Sequence, residues 1–215
     1  MKIVTMLAAI AAISGSALAV DWSEVGDAGL LPSGAQIAAG NGTLSAITGA
    51  LLPDGDLDVD MYRIFISDPA NFSASTDNAG TALGDTTLYL FNLDGSGIVK
   101  NDDISGGNFL STINSSLVAS LPAGEYLIAI SIFGTIAFDN AAPTLLIQSI
   151  FDPNLFTGQN PPRDGDVVLG WADVSGFTEA GTYRIEFTGA SLIPAPSTGM
   201  GLAAAGLLAF RRRRA

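Results

Sequence analysis

Short runs of β-favouring residues, each broken by a cluster of Asp, Gly or Pro, decide what this chain can fold into. Residues 60–67 (DMYRIFIS), 86–93 (TTLYLFNL), 125–133 (EYLIAISIF) and 183–188 (YRIEFT) carry the β-branched and aromatic side chains that suit a pleated surface. Between them stand breakers such as Asp94-Gly95-Ser96-Gly97 and Ser105-Gly106-Gly107. No stretch in the body has the period of an ordinary amphipathic helix. Tyr183, Ile185 and Phe187 alternate with Arg184, Glu186 and Thr188, which predicts a strand with one wet face. Residues 125–133 are apolar on both faces and read as a central strand. Residues 20–50 read as a loose lead-in with a first strand around 45–52. The pattern predicts an all-β protein, a jelly-roll-like β-sandwich over residues 20–192. At 48% hydrophobic residues, the chain has ample material for a core.

Charge removes several classes of function. Four basic residues in the body, Arg63, Lys100, Arg163 and Arg184, stand against all 21 acidic ones, so the body carries −17. A surface of that sign repels nucleic acid and attracts cations. The chain has neither Cys nor His, which excludes thiol nucleophiles, disulfides, the usual zinc sites and every His-based triad.

The acidic run Asp54, Asp56, Asp58, Asp60 is the first candidate site. Its two-residue spacing is that of an EF-hand loop, but the sixth position is Val59 rather than Gly and the twelfth is Phe65 rather than Glu. In an extended strand, Asp56, Asp58 and Asp60 would share a face with Tyr62, Ile64 and Ile66. Because a charged carboxylate is costly in a core, the expectation is that these Asp lie in the loop entering the strand. Asn101-Asp102-Asp103 forms a second acidic turn. If both turns meet at one end, Asp56, Asp58, Asp60, Asp102 and Asp103 would hold a cation, with calcium the candidate cofactor. The alternative is that they are solvated turn residues. Lys100 reads as half of a surface salt pair. Paired carboxylates are also the machinery of a polysaccharide hydrolase, though no pair stands out, and no catalytic residue is assigned. Trp22 and Trp171 are candidates for stacking on sugar, as in a calcium-dependent carbohydrate-binding module, or for ordinary packing.

The two ends have their own logic. Lys2 precedes an apolar run over residues 3–13, and Ala17-Leu18-Ala19 is a small-x-small cleavage site. This predicts an N-terminal signal helix, cut by signal peptidase after Ala19. At the other end, Pro194 and Pro196 are followed by Ser197, an uncharged run over 199–210, and Arg211, Arg212, Arg213 and Arg214. That run makes a helix of only ~18 Å, so it crosses a membrane only with local thinning. The arginines then stay on the inner side with Lys2, and the body faces out.

The order Pro-x-Pro-Ser-Thr, short hydrophobic helix and Arg cluster resembles the PEP-CTERM sorting signal of Gram-negative and related bacteria. The resemblance implies processing by an exosortase-like membrane enzyme and a transient stay in the inner membrane. Ala195 replaces the motif's Glu, which leaves the sortase variant open. A second resemblance covers about residues 50–134. Asp58-x-Asp60-x-Tyr62, Asp85-Thr86-x-Leu88-x-Leu90-Phe91, Asp94-Gly95, Asn101-Asp102-Asp103 and Leu121-x-Ala123-Gly124-x-Tyr126 are similar to bacterial pre-peptidase C-terminal domains. Those are non-catalytic modules of exported proteins, some of which bind calcium or matrix polymers. Together these features predict a non-enzymatic surface or extracellular-matrix protein, structural or adhesive, with extracellular polysaccharide as a candidate partner.

Overall fold

The computed structural model describes residues 19–52, 57–139, 148–163 and 166–195. The expected signal helix and hydrophobic tail helix, with Ala17, Pro196, Ser197 and Arg211 to Arg214, lie outside these residues, as does Asp56. Among the described residues no helix is long and apolar enough to cross a membrane.

The chain is all-β, as the breaker pattern predicts. β1 (Ala19–Ser23), β2 (Gln36–Ile37) and β3 (Thr43–Leu51) precede β4 (Asp60–Ile66). β5 (Ser73–Ser75), β6 (Thr86–Phe91), β7 (Gly97–Asn101) and β8 (Thr112–Asn114) follow. After β9 (Gly124–Ile132) and β10 (Thr135–Asp139) come the short β11 (Gln148–Ser149) and β12 (Gln159–Asn160). β13 (Gly170–Asp173), β14 (Gly181–Thr188) and β15 (Ala190–Ser191) come last.

One nearly closed sheet runs β12-β7-β6-β9-β4-β15-β3-β14-β5-β8, with β1 parallel to β3 and β2 parallel to β4. A smaller sheet, β11-β10-β13, lies apart from it in the pairing. The seam between β8 and the β7 and β12 side is bridged by side chains. Thr112 N–H donates to Asn101 Oδ1 at 2.5 Å, Asn114 N–H to Gln159 Oε1 at 2.9 Å, and Gln159 Nε2 to Asn114 Oδ1 at 2.7 Å. Amide side chains thus occupy the edge groups that would otherwise invite another strand.

Period-two alternation builds two cores on the two faces of β4, β6 and β9. Tyr62, Ile64 and Ile66, Leu88 and Leu90, and Ile128 and Ile130 point inward, against Leu44 and Ile47 of β3 and Tyr183, Ile185 and Phe187 of β14. Met61, Tyr89, Phe91, Leu127 and Ala129 point outward, where Ala137 of β10, Phe151 and Trp171 cover them. Buried on both faces, β9 pairs with β4 on one side and β6 on the other, the central place its all-apolar sequence predicts. β14 buries Tyr183, Ile185 and Phe187 and leaves Thr182 and Glu186 exposed, as its alternation predicts.

The lead-in is more ordered than its weak periodicity suggests. β1 pairs with β3 from Ala19↔Thr43 to Ser23↔Thr48, and Arg184 of β14 holds Asp21 with two hydrogen bonds, of 2.8 and 3.2 Å. A parallel strand of only five residues, with Val20 and Trp22 half-buried and Ala19, Asp21 and Ser23 exposed, leaves little trace in periodicity.

Candidate functional site

Asp60 occupies the first position of β4, opposite Ile130 of β9. It has no solvent exposure. This corrects the expectation that it lies in the entry loop: it continues the inward face of Tyr62 and Ile64 into the core. The chemistry around it shows how. Tyr183 Oη donates to Asp60 Oδ2 at 2.5 Å, and since that proton is used, the Tyr62 hydroxyl donates to Tyr183 in turn. Asp60 Oδ1 is sealed from solvent and receives no donor from the described residues. Beside it lies Glu24, whose Oε1 and Oε2 accept Ala28 N–H at 2.8 Å and Ala50 N–H at 3.2 Å. Burial pushes the Asp60 carboxyl up to about 8; the Tyr183 bond opposes this, while the charges of Glu24 and Asp58 add to it. At neutral pH Asp60 is therefore a neutral acid, able to donate to the Glu24 carboxylate. A neutral acid meets the buried-charge objection that the sequence raises.

Gly49 of β3 stands opposite Tyr183 in register, and a Cβ there would overlap Tyr183 Oη and Glu24 Oε2. The missing side chain is what lets the phenol and the glutamate meet. Asp58 sits in the loop before β4, as expected, and accepts the Leu52 N–H.

Asp102 and Asp103 do not join this group. Asp60, Ile130, Leu88 and Asn101 align across four strands, so Asn101 shares the face of Asp60 and the next residue points the other way. Asp102 accordingly lies on the outer face, where Thr87 Oγ1 donates to its Oδ1 at 2.5 Å and Lys100 Nζ lies 3.4 Å from its Oδ2. Lys100 and Asp102 are both buried, which corrects the surface salt pair expected for Lys100. Both line a cavity of about 210 Å³ with Phe133, Thr135, Phe156 and Val174.

Two groups of carboxylates thus bring oxygens within 4.8 Å of one another: Glu24, Asp27 and Asp60 on the inner face, and Asp85, Asp102 and Asp103 beyond the ends of the β6–β7 pair. In the second, burial pushes Asp85 up to about 7, with the charges of Asp102, Asp103 and Glu179 adding to the rise. Asp103 is raised by burial and then by Asp102, against the pull of Lys100. Sequence reasoning paired Asp102 and Asp103 with the wrong acids. Glu24, Asp27 and Glu179 give no local signal, whereas Asp85 opens the Asp85-Thr86-x-Leu88-x-Leu90-Phe91 motif of the second resemblance.

The two tryptophans pack. Trp171 meets Tyr89 and Phe91 edge-on, with centroids 5.0 and 6.1 Å away, and its Nε1 donates to Leu30 O at 2.6 Å. Trp22 meets Tyr62 edge-on at 5.6 Å.

The chain matches no family model, no curated protein and no solved structure. Its two resemblances rest on the motifs that carry them.

Proposed function

We propose that this chain is a non-enzymatic, exported component of the cell surface or extracellular matrix, structural or adhesive, processed at both ends. The observation that carries the reading is the layout of charge. Five of nine basic residues, Lys2 and Arg211 to Arg214, sit outside a body of −17, each next to an uncharged apolar run. That is the arrangement of a leader and a stop-transfer tail whose basic flanks stay inside. In this reading the body is a jelly-roll-like β-sandwich, with a signal helix before it and a short hydrophobic helix after it. Signal peptidase and an exosortase-like enzyme are its processing partners, the inner membrane a transient station, and extracellular polysaccharide its surroundings.

The fold is compatible with losing both ends. Cleavage after Ala19 costs β1 one pairing, Ala19 with Thr43. A cut within the Pro194-Ala195-Pro196 stretch costs no described strand, since β15 ends at Ser191 and Ile193 bridges Ala39.

The test is intact mass of the protein recovered from its native producer. A form beginning at Val20 and lacking Arg211 to Arg214 is expected. A form that keeps the four arginines contradicts tail removal, and one that keeps Lys2 contradicts export by a cleaved leader.

A further inference from the structure

We infer that Asp85, Asp102 and Asp103 form a binding site for calcium, with Glu179 at its margin. The inference goes beyond the proposal above and stands whether or not the chain is processed at its ends. Three chain segments deliver the ligands: Asp85 immediately before β6, Asp102 and Asp103 immediately after β7, and Glu179 ahead of β14. Carboxylate oxygens of the first three lie within 4.8 Å of one another, a spacing one ion can bridge.

The independent observation is what these carboxylates lack. Asp103 is only 8% exposed, and among the described residues its carboxylate has no hydrogen bond and no ion pair. Among the described residues no group donates to Asp85 Oδ1 or Glu179 Oε2, both sealed from solvent, although Glu179 Oε1 accepts Gly84 N–H at 2.9 Å. A desolvated carboxylate oxygen without a donor is costly, and several together favour a positive charge. Lys100 is one base among four acids, and its ammonium lies 3.4 Å from Asp102 Oδ2.

The donor set selects the ion. All the ligands are oxygen, with no imidazole and no thiolate in the chain, which disfavours zinc and copper. Three carboxylates drawn from two loops can supply up to six oxygens in an irregular arrangement. Calcium accepts 6–8 oxygens flexibly, whereas magnesium demands a near-ideal octahedron and keeps its waters. Bound there, the ion ties the start of β6 to the end of β7. Asp102 also lines the 210 Å³ cavity.

The test titrates calcium chloride into the full chain, previously stripped with EDTA, by calorimetry and by thermal melting. Asp85→Asn, Asp103→Asn and Glu24→Gln are measured beside it. One calcium is expected to bind, with Kd in the range of about 0.1–1 mM typical of extracellular modules. The melting temperature should rise by several degrees at about 10 mM calcium. Each Asn variant should weaken binding at least tenfold, and should melt in EDTA at or above the wild-type temperature because it relieves repulsion. Glu24→Gln, on the opposite face, should bind as the wild type does. The inference is overturned if about 10 mM calcium produces neither heat nor a melting shift. It is equally overturned if both Asn variants bind unimpaired, if both melt below wild type in EDTA, or if Glu24→Gln alone abolishes binding.

Discussion

Replacing Asp60 by Asn should remove a pH dependence that the wild-type fold carries across the neutral range. The unfolded chain holds the Asp60 proton with an ordinary pKa near 3.8, and the folded chain holds it up to about 8. Between those values the folded state binds the proton and the unfolded state does not, so rising pH favours unfolding. Below the lower value both states are protonated and the contribution to stability is fully present. Above the upper value both are ionised and the loss is complete. The slope for one group is about 1.4 kcal/mol per pH unit, so from pH 5 to pH 8 the wild type should lose about 4 kcal/mol. That is a large part of the roughly 5–15 kcal/mol that holds a domain together.

Asn also mimics the neutral acid in shape. Its oxygen can accept the Tyr183 hydroxyl and its amide can donate towards Glu24, so at pH 5 the variant should lie within about 1 kcal/mol of wild type. By pH 8 it should be the more stable protein by roughly 3–4 kcal/mol. The assay is urea unfolding of both proteins at each pH unit from 5 to 9, read as the difference in stability. Asp85, raised to about 7, titrates in the same direction in both chains and cancels in the difference. A difference that stays flat with pH, or an Asn variant that is the weaker protein at pH 8, would refute the account of Asp60 as a neutral buried acid.

Three further substitutions probe the surroundings. Tyr183→Phe deletes the donor to Asp60 and the acceptor of Tyr62; it should cost about 1–3 kcal/mol in urea unfolding and push the alkaline end of the Asp60 titration higher, because the lost bond favoured the ionised form. Gln159→Ala unzips the seam at Asn114 and should cost about 1–2 kcal/mol, with self-association growing with concentration in sedimentation as the β8 edge is freed. Trp171→Ala removes the ring that lies edge-on to Tyr89 and Phe91 and should cost about 2–4 kcal/mol; an unchanged unfolding curve would show that the indole does not pack.

The strands that were legible in sequence are those whose side chains reveal their surroundings. Residues 125–133 are apolar at every position because β9 has a core on each face, and 183–188 alternate because β14 has a core on one. β1 and β2 left no such mark. They are short strands that pair in parallel along the main sheet, and what fixes them is distant, Arg184 on Asp21 for β1 and the β4 register for β2. The outer sheet was equally hidden. β13 has four residues, and its role follows from its pairing with β10 rather than from any periodicity of its own.

The acidic residues mislead for a different reason. Asp58, Asp60, Asp102 and Asp103 look alike in sequence, and treating them all as charges puts them all in solvent. Strand parity, taken with the register, contradicts a single site. Once β4, β9, β6 and β7 are neighbours in the observed register, Asp60 falls on the row of Asn101, and Asp102 must face away. The sequence carries the parity but not the register, which depends on β9 inserting between β4 and β6 from more than thirty residues downstream. The protonation state is more remote still. It depends on Tyr183, which lies 123 positions away and reaches Asp60 only because Gly49 leaves the space. The same partner logic separates the two acid groups chemically. Asp60 has a phenol to hydrogen-bond one oxygen and a neighbouring carboxylate to receive its proton, so a neutral acid meets its needs. Among the described residues Asp85 and Asp103 have neither phenol nor hydroxyl in bonding contact, so in their case a cation from solution is the partner that chemistry favours.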